Sequence, residues 1–183
     1  MATAVTKLTP EVKAMVGVQG EFVEASWWVV EKEGLRRFCQ ALMDPDPRYW
    51  DDEFARTTRY GEVVAPHIYV SYLGRTSPSA GDPVSRAFKE DPVSDGIGGV
   101  WEARGGLPNV PTDLKRILNA GNELEVYQLP TLGDRIYCQS RYASIAERTG
   151  TDGSPMLIVT TETAYYNQRG DLLCVTRASA IRR

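Results

Sequence analysis

Residues 43 to 50 read MDPDPRYW and set two carboxylates, an arginine and a tyrosine within six positions. Asp44 and Asp46 each precede a proline, and Tyr49 follows three positions after the second carboxylate. A carboxylate can orient a water molecule and accept its proton, provided that a second group returns a proton to the substrate. Tyrosine, with an ordinary pKa of about 10, is a poor base at neutral pH. His67 is the single histidine and so the one side chain whose unperturbed pKa lies within about a unit of 7. Each residue also has a plainer role. Asp44 would accept backbone N–H groups in a proline-stiffened turn, and Asp46 would cap a short helix. Tyr49 would be a half-buried aromatic beside Trp50, or a hydroxyl donor at a pocket edge. His67 would be a hydrogen-bonded histidine within an apolar segment.

The elements around these residues can be read from spacing. Leu35, Phe38, Cys39, Leu42 and Met43 recur at helical period, which predicts an amphipathic helix from Val30 to Met43. The ring of a following proline disfavours the α conformation, so this helix should stop at Asp44. Pro47 suits the first position of a second, short helix with Asp46 as its N-cap. The segment from Val63 to Gly74 carries Ile68, Tyr69, Val70, Tyr72 and Leu73 with little polar relief. Helical after Pro66, it would be buried on all sides.

From Gly74 to Pro111 lie seven of the 16 glycines and five of the 11 prolines, the composition of a long insertion with at most short structure. Its glycine-rich part, Gly96 to Gly106, lacks the strand-then-helix setting of a phosphate loop. Four later stretches, Glu123 to Gln128, Asp134 to Glu147, Met156 to Tyr166 and Asp171 to Ile181, are rich in Val, Ile, Thr and Tyr and read as strands. Arg148 to Pro155 and Asn167 to Asp171 are their turns, the latter short enough for a hairpin. Antiparallel strands of this length would have to curl.

At 183 residues the chain suits one domain with a full core. A net charge of -3 offers no broad basic face to nucleic acid or an anionic membrane, which favours a small-molecule partner. The three cysteines are irregularly spaced, fitting neither a disulfide framework nor a zinc cluster, and read as buried thiols of a cytoplasmic protein. No run reaches the about 20 apolar residues of a membrane helix. No metal or cofactor is expected.

Four stretches together resemble a known family. Phe38 to Ala55 (FCQALMDPDPRYWDDEFA) sits where MaoC-like enoyl-thioester hydratases and dehydratases carry an Asp-x-Asn-Pro-x-His signature. Val63 to Val70 (VVAPHIYV) sits at the start of that family's central helix. Leu129 to Gly150 resembles its glycine-aspartate entry into a long strand, and Glu162 to Leu173 its last hairpin. The chain is most similar to the N-terminal, fungal-fatty-acid-synthase-like dehydratase type, and within it to the non-catalytic subunit of (3R)-hydroxyacyl-thioester dehydratases. The resemblance implies an α+β hot-dog fold over residues 1–183, a curled antiparallel sheet around a central helix, and a role in fatty acid or lipid metabolism. It also implies reversible hydration of a 2-enoyl thioester, with an acyl-CoA or acyl-carrier-protein substrate.

Matched residue by residue, Asp44 keeps the family aspartate, Asp46 replaces the asparagine, Pro47 keeps the proline, and Tyr49 stands where the histidine belongs. The catalytic candidates are therefore Asp44, Tyr49 and His67, the last as a relocated acid or base, and no cofactor is implied. Pro66 and Tyr69, at the helix start, and Trp101 are the substrate-binding candidates. Trp27 and Trp28 are further possible lining for an acyl channel. Arg36 with Arg37, and Arg182 with Arg183, would meet coenzyme A phosphates or else be solvated surface charge. A second MaoC-like subunit with an intact Asp and His is the implied partner, a homodimer the other option. A hot-dog thioesterase and a non-enzymatic acyl-thioester-binding module are the competing functions.

Overall fold

The computed structural model describes residues 6–25, 29–70, 83–93 and 106–183. In chain order it contains α1 (Pro10–Ala14), β1 (Val23–Glu24), α2 (Lys32–Leu42), a 3-10 turn (Pro47–Tyr49), α3 (Asp52–Thr57), α4 (Pro83–Glu90), β2 (Ile117–Val126), β3 (Tyr137–Thr149), β4 (Pro155–Tyr166) and β5 (Leu172–Arg182). The strands form one sheet in the order β1-β3-β4-β5-β2, every pair antiparallel. None of the helices described is long and apolar enough to cross a membrane.

The sheet buries one face. Tyr142, Ile145, Leu157 and Val159 pack with Val12 of α1 and Val110. Tyr165, Leu173 and Cys174 pack with Leu35 of α2, Val63, Ala65, Tyr69 and Val70. On the opposite face Arg141, Glu162, Arg177 and Glu123 stand in one register across four strands. The two guanidiniums reach Glu162 at 2.7 Å each. Burial pushes the Glu162 carboxyl up, but the paired arginines outweigh it and hold it below the usual carboxylate range. Register shifts at Tyr142/Ser144 and Asn119/Gly121 bend the strands as bulges do. That relieves the length predicted from sequence.

The strand pattern matches the sequence reading with two corrections. β2 begins at Ile117, six residues before the expected Glu123, because its apolar positions are sparse and ordinary alternation is lost. The two-residue β1 is too short to show any period.

Helix α2 is shorter than Val30–Met43. Its N-cap is Glu31, whose carboxylate accepts the Glu33 and Gly34 N–H groups. It ends at Met43 in the left-handed conformation, φ 55°. Leu35 and Cys39 are buried, but Leu42 and Met43 are 51% and 88% exposed, so the apolar stripe outlasts the packed part of the helix. Gly34 has a packing reason: a Cβ there would lie 2.6 Å from Tyr69 Oη and 2.7 Å from Glu31 Oε1. Gly34→Ala is therefore expected to lower stability by about 1–2 kcal/mol in urea melts, overpacking outweighing the roughly 1 kcal/mol that alanine gains in a helix.

Candidate active site

The octapeptide folds as a chain of caps. As α2 ends, the Asp44 N–H donates to Cys39 O at 2.9 Å. Asp44 Oδ1 accepts the Asp46 N–H at 3.1 Å, the turn-type contact expected of it. Asp46 then accepts the Arg48 N–H at 3.0 Å and Arg48 Nε at 2.7 Å, capping the turn that Pro47 begins. The Arg48 side chain holds the Asp46 carboxyl below its ordinary range. Asp46 is thus occupied as cap and ion-pair partner, while Asp44 stays half-buried with one backbone contact.

Tyr49 is 8% exposed and packs with Cys39 and Val64, against Tyr60 and Leu129. Burial raises its phenol pKa, and the nearby Arg48 only partly offsets that. It is more deeply buried than the half-buried aromatic expected, and further from service as a base at pH 7. Trp50 beside it is half exposed.

An open groove of about 560 Å³ runs along this turn, lined by Asp44, Pro45, Asp46, Pro47, Arg48, Phe54, Thr58 and Tyr60. Its walls come from the octapeptide and from α3, whose N-cap Asp51 accepts the Glu53 and Phe54 N–H groups. The Val64 N–H donates to Arg48 O at 3.3 Å, tying the groove to the chain that leads into the next candidates.

Pro66 is buried and His67 exposed. The Tyr69 N–H donates to Pro66 O at 2.9 Å, and residues 69 and 70 are helical. The rest of the expected helix, through Gly74, lies outside the described residues. Tyr69 is 2% exposed, its ring edge-on to Phe38 at 5.0 Å, which places it within the core. Ile68, at 39% exposure, breaks the all-round burial predicted for this segment, because it shares the exposed turn with His67. Among the described residues no hydrogen bond or ion pair joins His67 to Asp44. Trp101, Trp27 and Trp28 lie outside the described residues.

Other candidates resolve by their partners. Glu33 accepts Arg36 Nη2 at 2.7 Å and Arg37 Nε at 2.8 Å, so this pair of arginines is engaged within its own helix. Arg36 first, then Arg37, holds the Glu33 carboxyl at about 2 against an ordinary 4.5. Its contribution to stability is thus full above the ordinary value and fades as pH falls toward about 2. A carbon-13 titration is expected to place the Glu33 midpoint well below that of other exposed glutamates, and Arg36→Ala to bring it back up. Burial raises the Cys39 and Cys138 thiols and pushes Cys174 up to about 12, the direction opposite to the one that activates a nucleophilic thiolate. No three His, Cys, Asp or Glu side chains among the described residues converge as a metal site would require.

Sequence reasoning missed Asp134 as more than a strand start. It is 1% exposed and accepts the Thr131 N–H at 2.9 Å and Arg169 Nη1 at 3.2 Å. The Leu132-Gly133-Asp134 turn was the available signal.

Residues 14–176 match the family described as FAS1-like, dehydratase domain region. The chain belongs to this family. Among curated relatives of this chain is a UPF0336 protein of Streptomyces avermitilis. It is 28% identical over 124 residues, 67% of this chain and 67% of the relative. In fold the chain is similar to the ChsH1-ChsH2 complex of Mycobacterium tuberculosis, with a TM-score of 0.65 at 12% identity, covering 94% of this chain and 86% of that one. The HadBC (3R-hydroxyacyl-ACP dehydratase) complex of the same organism gives a TM-score of 0.56 at 17% identity, over 91% and 96% of the two chains. The architecture is the hot-dog fold expected of a FAS1-like, MaoC-like dehydratase domain, with its antiparallel sheet left open.

Proposed function

We propose that this chain is the non-catalytic subunit of an enoyl-thioester hydratase or 3-hydroxyacyl-thioester dehydratase, shaping the acyl site while a MaoC-like partner brings the Asp and His. The observation that carries this is Tyr49. By the resemblance it stands where the signature's histidine belongs, it is packed among Cys39 and Val64, and burial makes its phenol still less acidic. Hydration needs one group to take a proton from water and another to protonate the substrate α-carbon. Asp44 can orient water, but the octapeptide lacks the imidazole that would return a proton to the substrate. His67 stands exposed at the next segment, and among the described residues no hydrogen bond or ion pair joins it to Asp44.

The family membership supports the reaction class, and the fold-level likeness to two-component complexes supports the division of labour. The groove beside Asp44 and Phe54 is the surface this chain would offer to the substrate. The test is to purify the chain alone and with a MaoC-like partner encoded beside it, then assay crotonyl and longer enoyl thioesters for hydration. Activity of the pair, absent from either subunit alone, is the expected result. Hydrolysis of saturated acyl thioesters by the lone chain would instead establish a thioesterase.

A further inference from the structure

The groove beside the Asp44 turn holds two polar groups that its internal bonds do not use up. Asp46 and Arg48 close on each other, Asp46 Oδ2 meeting Arg48 Nε at 2.7 Å and Nη2 at 2.6 Å. The Thr58 hydroxyl donates to Ala55 O at 2.7 Å and accepts the Tyr60 N–H at 3.2 Å. Asp44 differs. Its Oδ1 accepts the Asp46 N–H at 3.1 Å, and among the described residues its Oδ2 has no hydrogen bond or ion pair.

Tyr60, on the same groove, is the second of these groups. Its oxygen accepts from Arg59 Nη2 at 2.7 Å, and that guanidinium lies over the same ring, 4.8 Å from its centroid. A guanidinium only donates, so the phenol spends a lone pair on it and keeps its own O–H proton to give away. A donor of this kind polarises the hydroxyl it binds and strengthens the hydrogen bond that hydroxyl makes in turn. The ring is partly buried against Tyr49 and Val64, so packing and Arg59 together fix where the hydroxyl stands. The groove thus presents one acceptor and one uncharged donor between apolar walls of Pro45, Pro47 and Phe54. A simple anion would be repelled by Asp44, and a simple cation would leave the Tyr60 proton unmet. A hydroxyl two carbons from a carbonyl answers both, its O–H donating to Asp44 while the carbonyl oxygen accepts from Tyr60. A 2-enoyl group has the carbonyl alone.

We infer that Asp44 and Tyr60, with Arg59 as the positioning residue behind the phenol, form a binding site that prefers 3-hydroxyacyl to 2-enoyl thioesters and holds them without turnover. The choice of a thioester rests on the hydratase reading above. Tyrosine in place of the signature histidine removes proton transfer from this groove but neither of these hydrogen bonds, so recognition of the hydrated form outlasts the chemistry. In the two-subunit pair, occupancy of the groove then follows the hydrated thioester that the partner interconverts with its enoyl form.

Calorimetric titration of the full chain, alone, with the coenzyme A thioesters of 3-hydroxybutyrate, butyrate and crotonate tests this, because the carrier is the same in all three and its contacts cancel. The 3-hydroxybutyryl thioester is expected to bind about tenfold tighter or more than the other two, the worth of one hydrogen bond to a charged group. Asp44→Ala should erase that preference. Asp44→Asn, which keeps an oxygen for the Asp46 N–H, should reduce it, an uncharged amide replacing the carboxylate. Tyr60→Phe keeps the packed ring and should weaken all three thioesters by about three- to tenfold, since each offers the carbonyl. Arg59→Met should weaken them likewise in the unaltered chain and change nothing in Tyr60→Phe, because it acts only through the phenol. Equal affinity for the hydroxylated and saturated thioesters, unaltered binding in Tyr60→Phe, or a full effect of Arg59→Met in the Tyr60→Phe chain would each overturn the inference. Hydration by the two-subunit pair is a separate readout. A pair that hydrates while the lone chain shows no preference would overturn the site alone, and a lone chain with the preference but no active pair would overturn the hydratase reading alone.

Discussion

Asp134→Ala is expected to cost about 3 kcal/mol and to lower the melting temperature by about 6–12 °C for a domain of this size. The carboxylate is 1% exposed and accepts the Thr131 N–H at 2.9 Å, with the Thr131 hydroxyl at 3.3 Å. Removing it leaves a buried N–H unpaired as well as breaking charge-assisted bonds. The turn it closes holds more than itself. Val30 N–H donates to Asp134 O at 2.9 Å, Gly133 N–H to Val30 O at 2.8 Å, and Ala65 N–H to Pro130 O at 2.7 Å. Thr131 also bridges to Val64. One turn therefore fixes both the entry to α2, which leads to Asp44, and the segment that leads to Pro66 and His67. Arg169 is half exposed in its pair with Asp134, so Arg169→Ala should cost under about 1 kcal/mol. Equal losses from the two variants in thermal melts would mean that the ion pair, and not the turn, is what stabilises.

The contrast between Asp46 and Asp134 shows what sequence could supply. Asp46 acts within three residues, so a proline on either side and a cap preference were enough to place it. The helix stop before Asp44 and the hairpin at Asn167 to Asp171 are local in the same way: the Asn167 N–H donates to Asp171 O at 3.1 Å. Asp134 works through Arg169, 35 residues away, and through segments it meets only in the folded chain, which no spacing encodes. Burial was misjudged for the same reason. Leu42 lies on the apolar side of α2, but whether that side is covered depends on where the sheet ends. Tyr69 was a substrate candidate because the resemblance puts it at the start of the central helix; Phe38 and Gly34 pack against it instead. Lys115 with Arg116 and Arg182 with Arg183 come from two stretches nearly seventy positions apart, and only the β2 to β5 register sets them at one end of the sheet.

The largest effect expected is on activity. Hydration of crotonyl thioester by this chain together with a partner bearing an intact Asp-x-Asn-Pro-x-His should exceed that of the lone chain at least 100-fold, since positioned acid–base groups contribute about 10²–10⁴. Replacing the partner's signature histidine should remove that gain. His67→Ala in this chain should leave the rate of the pair within about threefold, as a group outside the proton transfers leaves transition-state stabilisation nearly intact. Tyr49→Phe is expected to behave likewise, because the phenol is packed among Cys39, Val64 and Leu129 and not presented to water.

Hydration measured on the lone chain, with His67→Ala beside it, bears most directly on whether the missing histidine of the octapeptide has been replaced from within. Background rates for both proteins are expected. Robust hydration by the lone chain that disappears in His67→Ala would contradict the non-catalytic assignment and make His67 the catalytic acid or base.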